Sequence, residues 1–200
     1  MPTAGQALVH LLLRATLRGD VLRGPMRRDG QAFALAEDWL GPAPPVDADT
    51  ALAELARRYL AGHGPAADRD LARWAGIALG AARGGLKAIA GELVEGAGGL
   101  VDLARRPAGG GAIPPPRLLG PFDPLLHGWA DRTPVTGEHA GIVTSNGIFR
   151  AIALVDGRAA ATWSLARGEV TLAPFAPLDA AVMAALDAEA ADVRRFLGPV

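Results

Sequence analysis

Two hundred residues, half of them apolar and a fifth charged, suffice for one large domain or two to three small ones and argue against wholesale disorder. The formal net charge of −1 is a poor overall footprint for a nucleic-acid binder, so affinity for a polyanion must come from local patches, and Lys87 is the sole lysine among many arginines. The absence of cysteine excludes disulfides, thiolate metal sites and a cysteine nucleophile. With no run near the ~20 apolar residues that span a bilayer and no basic flank before the short apolar patch at 8–13, the chain reads as cytoplasmic and free of membrane.

The first 40 residues read as a helix followed by a hairpin. Leu8, Leu11, Leu12 and Ala15 recur at i, i+3, i+4 and i+7, one face of a helix that Gly19 ends. Residues 21–23 and 32–35 read as strands around a basic tip, GPMRRDGQ. A lone helix and hairpin cannot bury their apolar faces, so this piece is expected to dock elsewhere or stay partly exposed. GPAPPV at 41–46 is a stiff linker that forbids helix. Asp49 or Thr50 can cap a helix to about residue 61, with Leu52, Leu55, Ala56, Tyr59 and Leu60 in one stripe, ended by His63-Gly64-Pro65. Asp68 can cap a short helix over 69–75 that turns Leu71 and Trp74 inward. Gly76 suits the tight turn into a helix over 79–90, with Ala82, Leu86 and Ile89 inward and Arg83 and Lys87 outward. Residues 92–95 and 100–103, joined by the glycine-rich 96–99, make a short wing.

RRPAGGGAIPPP at 105–116 reads as a second linker or loop, and beyond it the hydrophobic period changes. Residues 118–122 and 141–145 read as strands. Asn146-Gly147 joins the latter to 148–155, and Asp156-Gly157 joins that to 158–165; both dipeptides suit two-residue hairpin turns with positive φ at both positions. Gly168 turns the chain into 170–174. This antiparallel meander is expected to close as a small barrel or a strongly curved sheet. Asp179 caps a final helix to about 197, with Val182, Leu186, Ala190, Val193 and Leu197 on one face.

Helix, helix, turn, helix, hairpin is the order of a winged helix-turn-helix, and the helix and hairpin of 1–40 match the second half of another. The expected fold class is α+β: winged helix-turn-helix units followed by a small antiparallel β-barrel and a C-terminal helix. The expected domains are a partial winged helix over 1–40, a winged helix-turn-helix over 47–105, and the barrel with its closing helix over 117–200. On this reading the chain starts in the middle of a winged helix.

Several words carry a resemblance: Leu118-Leu119-Gly120-Pro121-Phe122-Asp123-Pro124, Gly128-Trp129-Ala130-Asp131-Arg132, Asn146-Gly147 before Phe149-Arg150, Leu154-Val155-Asp156-Gly157-Arg158 leading to Trp163, and Glu189 with Phe196-Leu197-Gly198. Together they resemble a family of bacterial winged-helix DNA-binding proteins related to the DNA glycosylases that unhook interstrand crosslinks. The resemblance spans about 5–200 and implies tandem winged helices and a C-terminal barrel around a concave surface for duplex DNA. The glycosylase members carry a Gln-x-Gln or Gln-x-Asp pair in the first winged helix. Here the only glutamines are Gln6 and Gln31, neither in such a pair, so the resemblance carries over no catalytic residue and the chain looks like the C-terminal part of that architecture.

The expected DNA contacts are arginines on helices and wings. Arg83 and Lys87 lie four apart on the recognition-type helix, which Gly80, Gly84 and Gly85 weaken. Arg14 and Arg18 share a helical face with His10, while Arg23, Arg27 and Arg28 follow in the first wing; Arg69 and Arg73 sit on the short helix before the turn. Asp123, His127, Asp131 and Arg132 form a cluster better read as a turn stapled by an Asp–Arg pair, with Asp123 bonding its own backbone, than as an acid–base or metal site. The four histidines lack metal-ligand spacing, nothing resembles a phosphate loop, and no cofactor is expected. Core packing is the default for Trp39, Trp74, Trp129 and Trp163, with Trp129 the one candidate for stacking. The leading expectation is non-catalytic binding of double-stranded DNA linked to repair. The alternatives are a truncated or divergent crosslink-repair glycosylase whose reactive residues lie outside this chain, and a protein-interaction module.

Overall fold

The computed structural model describes residues 5–28, 30–106 and 112–198. Asp29 of the first hairpin tip and residues 107–111 of the expected second linker lie outside the described residues. The chain divides into two units, 1–47 and 48–200.

In the first unit, α1 (Gln6–Arg18) leads into an antiparallel pair, β1 (Val21–Arg27) and β2 (Gly30–Leu35), and a short α2 (Ala36–Leu40). Gly19 ends α1 in the left-handed conformation, and the Gly19 and Asp20 amides donate back to the Thr16 and Ala15 carbonyls. The β1–β2 register slips between Arg23 and Met26, where Pro25 has no N–H to give to the ladder. No residue of α1 or α2 is buried, and Leu17, Met26 and Leu40 stand almost bare. Trp39 is exposed too. It does not pack into a core, because a helix and a two-stranded ribbon have too little apolar surface to enclose an indole.

The second unit opens with α3 (Ala48–His63), α4 (Asp68–Ala75) and α5 (Leu79–Ala88), followed by a hairpin of β3 (Leu93–Glu95) and β4 (Val101–Leu103). Ala56, Tyr59, Leu60, Leu71, Ala82 and Ile89 form the core between them, with Leu86, Leu93 and Leu103 packed against it. Gly85 lets α5 press against the α3 backbone: a Cβ there would sit 2.5 Å from the Leu52 carbonyl oxygen. Gly76, at φ 66°, makes the turn between α4 and α5. Two details differ from the sequence reading. Asp68 is the first residue of α4 and not its cap: one carboxylate oxygen accepts from the Arg69 amide at 2.7 Å and the other from the Arg83 guanidinium at 2.6 Å, while Asp70 reaches back to accept from the amide of Ala67 at the cap position at 2.8 Å. Trp74 does not point into the core. It is 41% exposed and lies against Tyr59 and His63 at the core's edge, since Leu71 already fills the inward position of this two-turn helix.

The rest of the unit is built on an open antiparallel sheet of β5 (Arg117–Leu119), β6 (Ile152–Val155), β7 (Arg158–Ala166) and β8 (Glu169–Pro174), in that order, with α6 (Thr133–Thr136) in the long β5–β6 connection and α7 (Ala180–Leu197) after β8. The expected closed barrel does not form. The side chains alternate between two covered faces: Leu119, Ile152, Leu154 and Ala159 pack under the irregular 120–149 segment with Leu126, Ile142 and Phe149, while Leu118, Ala153, Ala161 and Leu172 pack beneath Leu186 and Val182 of α7. A sheet covered on both sides has no apolar face left to bury by curling shut.

Asp156 and Gly157 both take positive φ, as that hairpin requires. At Asn146-Gly147 only Gly147 does. The Thr144–Gly147 turn is closed by Gly147 N–H to Thr144 O and Thr144 N–H to Ile148 O, both 2.9 Å. The pairing then stops at a single Val143–Phe149 bridge, so the strand expected over 141–145 is instead a 3-10 turn running into an extended residue. Phe149 is drawn into the core beneath the sheet, which takes the chain off the ladder. Asp179 caps α7 through the Val182 amide at 2.8 Å. Among the described residues, no helix is long and apolar enough to cross a membrane.

Candidate nucleic-acid interface

The outer faces of α4 and α5 carry Arg69, Arg73, Arg83 and Lys87, all exposed. Arg69 and Arg73 are one turn apart on α4. Arg83 is tied through Asp68 to the first turn of α4, and its hydrogen bond, ahead of all other causes, holds the Asp68 carboxyl below its ordinary value. Arg69, Arg73 and Lys87 make no ion pair among the described residues, although Asp68 and Asp131 lie within electrostatic reach of Arg69. On either side of Arg83 the helix backbone is bare: a Cβ at Gly80 or Gly84 would meet nothing within 4 Å.

Beside α4 lies the segment after β5. Tyr59 donates to the Gly128 carbonyl at 2.7 Å, the Trp129 indole N–H donates to the His63 carbonyl at 3.1 Å, and the Ala130 amide donates to Asp70 at 2.9 Å. Burial, with the Asp70 charge as a lesser cause, pushes the Tyr59 hydroxyl well above its ordinary pKa. Gly128 permits the approach, since a Cβ there would lie 2.6 Å from the His63 ring. Asp70, only 6% exposed, therefore serves two elements at once: it caps α4 and anchors the segment that follows Gly128.

That anchoring sets the place of Arg132. Its Nε donates to the Leu126 carbonyl at 2.7 Å and its guanidinium carbon stands 5.1 Å from the Phe149 ring centre. Burial, and secondarily the nearby charge of Arg73, pulls its pKa below the ordinary arginine value. The Asp–Arg staple expected here is absent. Asp131 instead accepts from the Thr133 hydroxyl and amide, which lower its pKa more than the distant Arg69 does, and the Leu126 carbonyl takes Arg132. Asp123 bonds its own backbone through the Leu125 amide at 2.9 Å. Trp129 packs edge-on against His63 and is not available for stacking.

The structure thus places Arg69 and Arg73 one turn apart on α4, ties Arg83 of α5 to Asp68 at the start of α4, leaves Lys87 one turn beyond Arg83, and adds Arg132, which the sequence reading had treated only as a staple. No local spacing marks Arg132 as a neighbour of Arg73; the fold brings the two charges within electrostatic reach of each other. The other expected residues belong to the first unit. Arg14, Arg23, Arg27 and Arg28 are exposed, and Arg18 pairs with Asp20 at 3.1 Å. Gln6 lies 3.4 Å from His10 on its own helix, and Gln31 of β2 donates to the Gly24 carbonyl of β1 at 2.5 Å, so each glutamine is engaged within the first unit. Among the described residues, no three His, Asp or Glu side chains converge as a metal-ligand group.

A model of the AlkZ-like DNA glycosylases matches residues 2–196, nearly the whole chain. The chain belongs to the AlkZ-like DNA glycosylase family. Comparison with curated proteins gave no match. Among solved structures, the DNA glycosylase AlkZ of Streptomyces sahachiroi is similar, with a TM-score of 0.73 and 24% identity over 96% of this chain and 58% of that one. At that identity the likeness speaks for the fold. This AlkZ-like chain spans 58% of the length of that glycosylase.

Proposed function

We propose that this AlkZ-like chain binds double-stranded DNA, that α3–α5 with the β3–β4 hairpin act as a winged helix-turn-helix, and that α5 is its DNA-facing helix. On this reading 1–40 is a partial winged helix, 47–105 a whole one, and 117–200 a supporting domain, and Arg14, Arg18, Arg23, Arg27 and Arg28 extend the contact from the first unit. The observation that carries the proposal is the set of exposed cations Arg69, Arg73, Arg83 and Lys87 on α4 and α5, with open space over the α5 backbone at Gly80 and Gly84. Arginines on a helix outer face can fork onto phosphates, and a helix without side chains can approach a sugar-phosphate wall closely. Family membership supports DNA as the partner and a link to repair.

The same membership favours a second reading, in which the chain is part of a crosslink-repair glycosylase and holds the DNA while reactive residues outside it act. No paired glutamines support sugar chemistry in this chain. The first unit, with no helical residue buried, favours a third role in protein interaction.

Fluorescence anisotropy with a labelled duplex tests the proposal. The wild type should bind in a salt-sensitive way, and R73A/K87A should flatten the log–log salt slope by about 1.8, two contacts at about 0.9 each. An unchanged slope would remove Arg73 and Lys87 from the contact, and no binding at about 50 mM salt would remove duplex DNA as the partner. Release of an alkylated base by the chain alone would instead establish the enzyme.

A further inference from the structure

We infer that Phe122 is a stacking wedge for an unpaired nucleobase, so that the surface described above prefers DNA with a base out of the helix; this rests on the DNA-binding reading. Phe122 holds φ at 59°, the left-handed region that glycine enters freely and a bulky side chain rarely occupies. It is nevertheless 54% exposed, so the unfavourable backbone is not repaid by burial as it is for Phe149, which is 9% exposed. The conformation turns the ring outward from the Gly120-Pro121 corner onto a stack of other rings. His127 lies nearly parallel beneath it at 6.2 Å and 17°, Phe149 is 5.7 Å away, and His127 and Phe149 stack on each other at 4.0 Å. The Phe122 amide donates to the Phe149 carbonyl at 3.3 Å, which ties the corner to the stack.

One side of the ring is therefore braced and the rest faces solvent. Arg132, held by its Nε on the Leu126 carbonyl, stands over the Phe149 ring of this stack, with the charge of Arg73 within electrostatic reach of it. A braced, exposed aromatic ring on a stack that also carries the Arg132 guanidinium matches the chemistry of an unstacked base and a flanking phosphate. An intact duplex offers such a ring nothing, because its neighbours cover both faces of every base. A bulge or a mismatch does offer a face, and opening it costs least where pairing is already broken.

The test uses the full chain and two labelled duplexes, one perfect and one carrying a single bulged 2-aminopurine. Tighter binding of the bulged duplex, by about 5- to 150-fold, with quenching of the 2-aminopurine, is the expected result. F122A and F122G should lose the preference and the quenching while keeping wild-type affinity for the perfect duplex, and F122W should keep both. F122G also relaxes the backbone, so an undiminished melting temperature with lost preference separates the ring's role from folding. Two results overturn the inference alone: a wild type that binds perfect duplex in a salt-sensitive way without preferring the bulge, or an F122A variant that retains the preference. Failure to bind either duplex removes the DNA-binding reading and the wedge together.

Discussion

Three glycines in one ten-residue helix should respond oppositely to the same change. Replacing a helical glycine by alanine reduces the freedom of the unfolded chain and gains about 1 kcal/mol where space allows. At Gly80 and Gly84 of α5 the new methyl meets nothing within 4 Å, so each substitution should stabilise the fold by about that amount. At Gly85 the methyl would lie 2.5 Å from the Leu52 carbonyl oxygen, 0.9 Å short of the 3.4 Å where ordinary contact begins. No rotamer relieves a clash between a Cβ and a backbone oxygen, so α3 and α5 must separate and loosen Ala56 and Ala82, both fully buried. Overpacking of this kind costs about 1–3 kcal/mol and outweighs the propensity gain. For a chain of this size each kcal/mol moves Tm by about 2–4 °C. Thermal melts followed by circular dichroism should rise by about 2–4 °C for G80A and for G84A and fall for G85A by up to about 8 °C, the net loss after the propensity gain reaching about 2 kcal/mol. A Tm for G85A that rises with the other two would refute the close α3–α5 approach and the core built on it. The same variants report on function: if α5 lies against DNA, G84A should gain stability yet lose duplex affinity.

Asp70→Ala should strand the Ala67 and Ala130 amides, at about 1–3 kcal/mol each, and D70N, which keeps one acceptor oxygen, should cost roughly half as much in urea denaturation. Equal stability of D70A and wild type would contradict the double anchor. Asp68, Glu54 and Glu92 all have pKa values lowered chiefly by side-chain hydrogen bonds from Arg83, from Arg58 with Arg57, and from Arg57, respectively. A depressed folded-state pKa means the folded form holds protons less tightly, so this stabilisation is present above about pH 4 and is lost as pH falls through the folded-state values. Melting temperatures measured between about pH 2 and 6 should therefore fall with acid, and the fall should be shallower in R57A, which releases Glu92 and removes one of the two guanidinium bonds to Glu54; an identical profile would show those pairs to be idle.

Much of this chain was legible because local rules set it. Gly19, Gly76 and the Asp156-Gly157 pair were readable as stops and turns because each demands a backbone that other residues resist, and Asp179 as a cap because its oxygen reaches an amide three residues on. The apolar stripe of α3 announced its buried face, and the arginines of α4 and α5 could be placed outward from helical period alone. Long-range competition decided what local rules missed. Asp68 looked like a cap by local rules, but the helix begins one residue earlier and its carboxylate is shared between the Arg69 amide and Arg83, fifteen residues on, while Asp70 serves the Ala67 amide. The meander could have closed, but α7 and the 120–149 segment covered both its faces.

Periodicity and turn chemistry, which act over a few residues, thus determined the order of helices and hairpins, the outward cations and the absence of thiol chemistry. Only the folded chain could set Arg132 beside Arg73, engage Asp70 on both sides, and stand Phe122 on a stack of rings, because partners sixty residues apart meet only through packing.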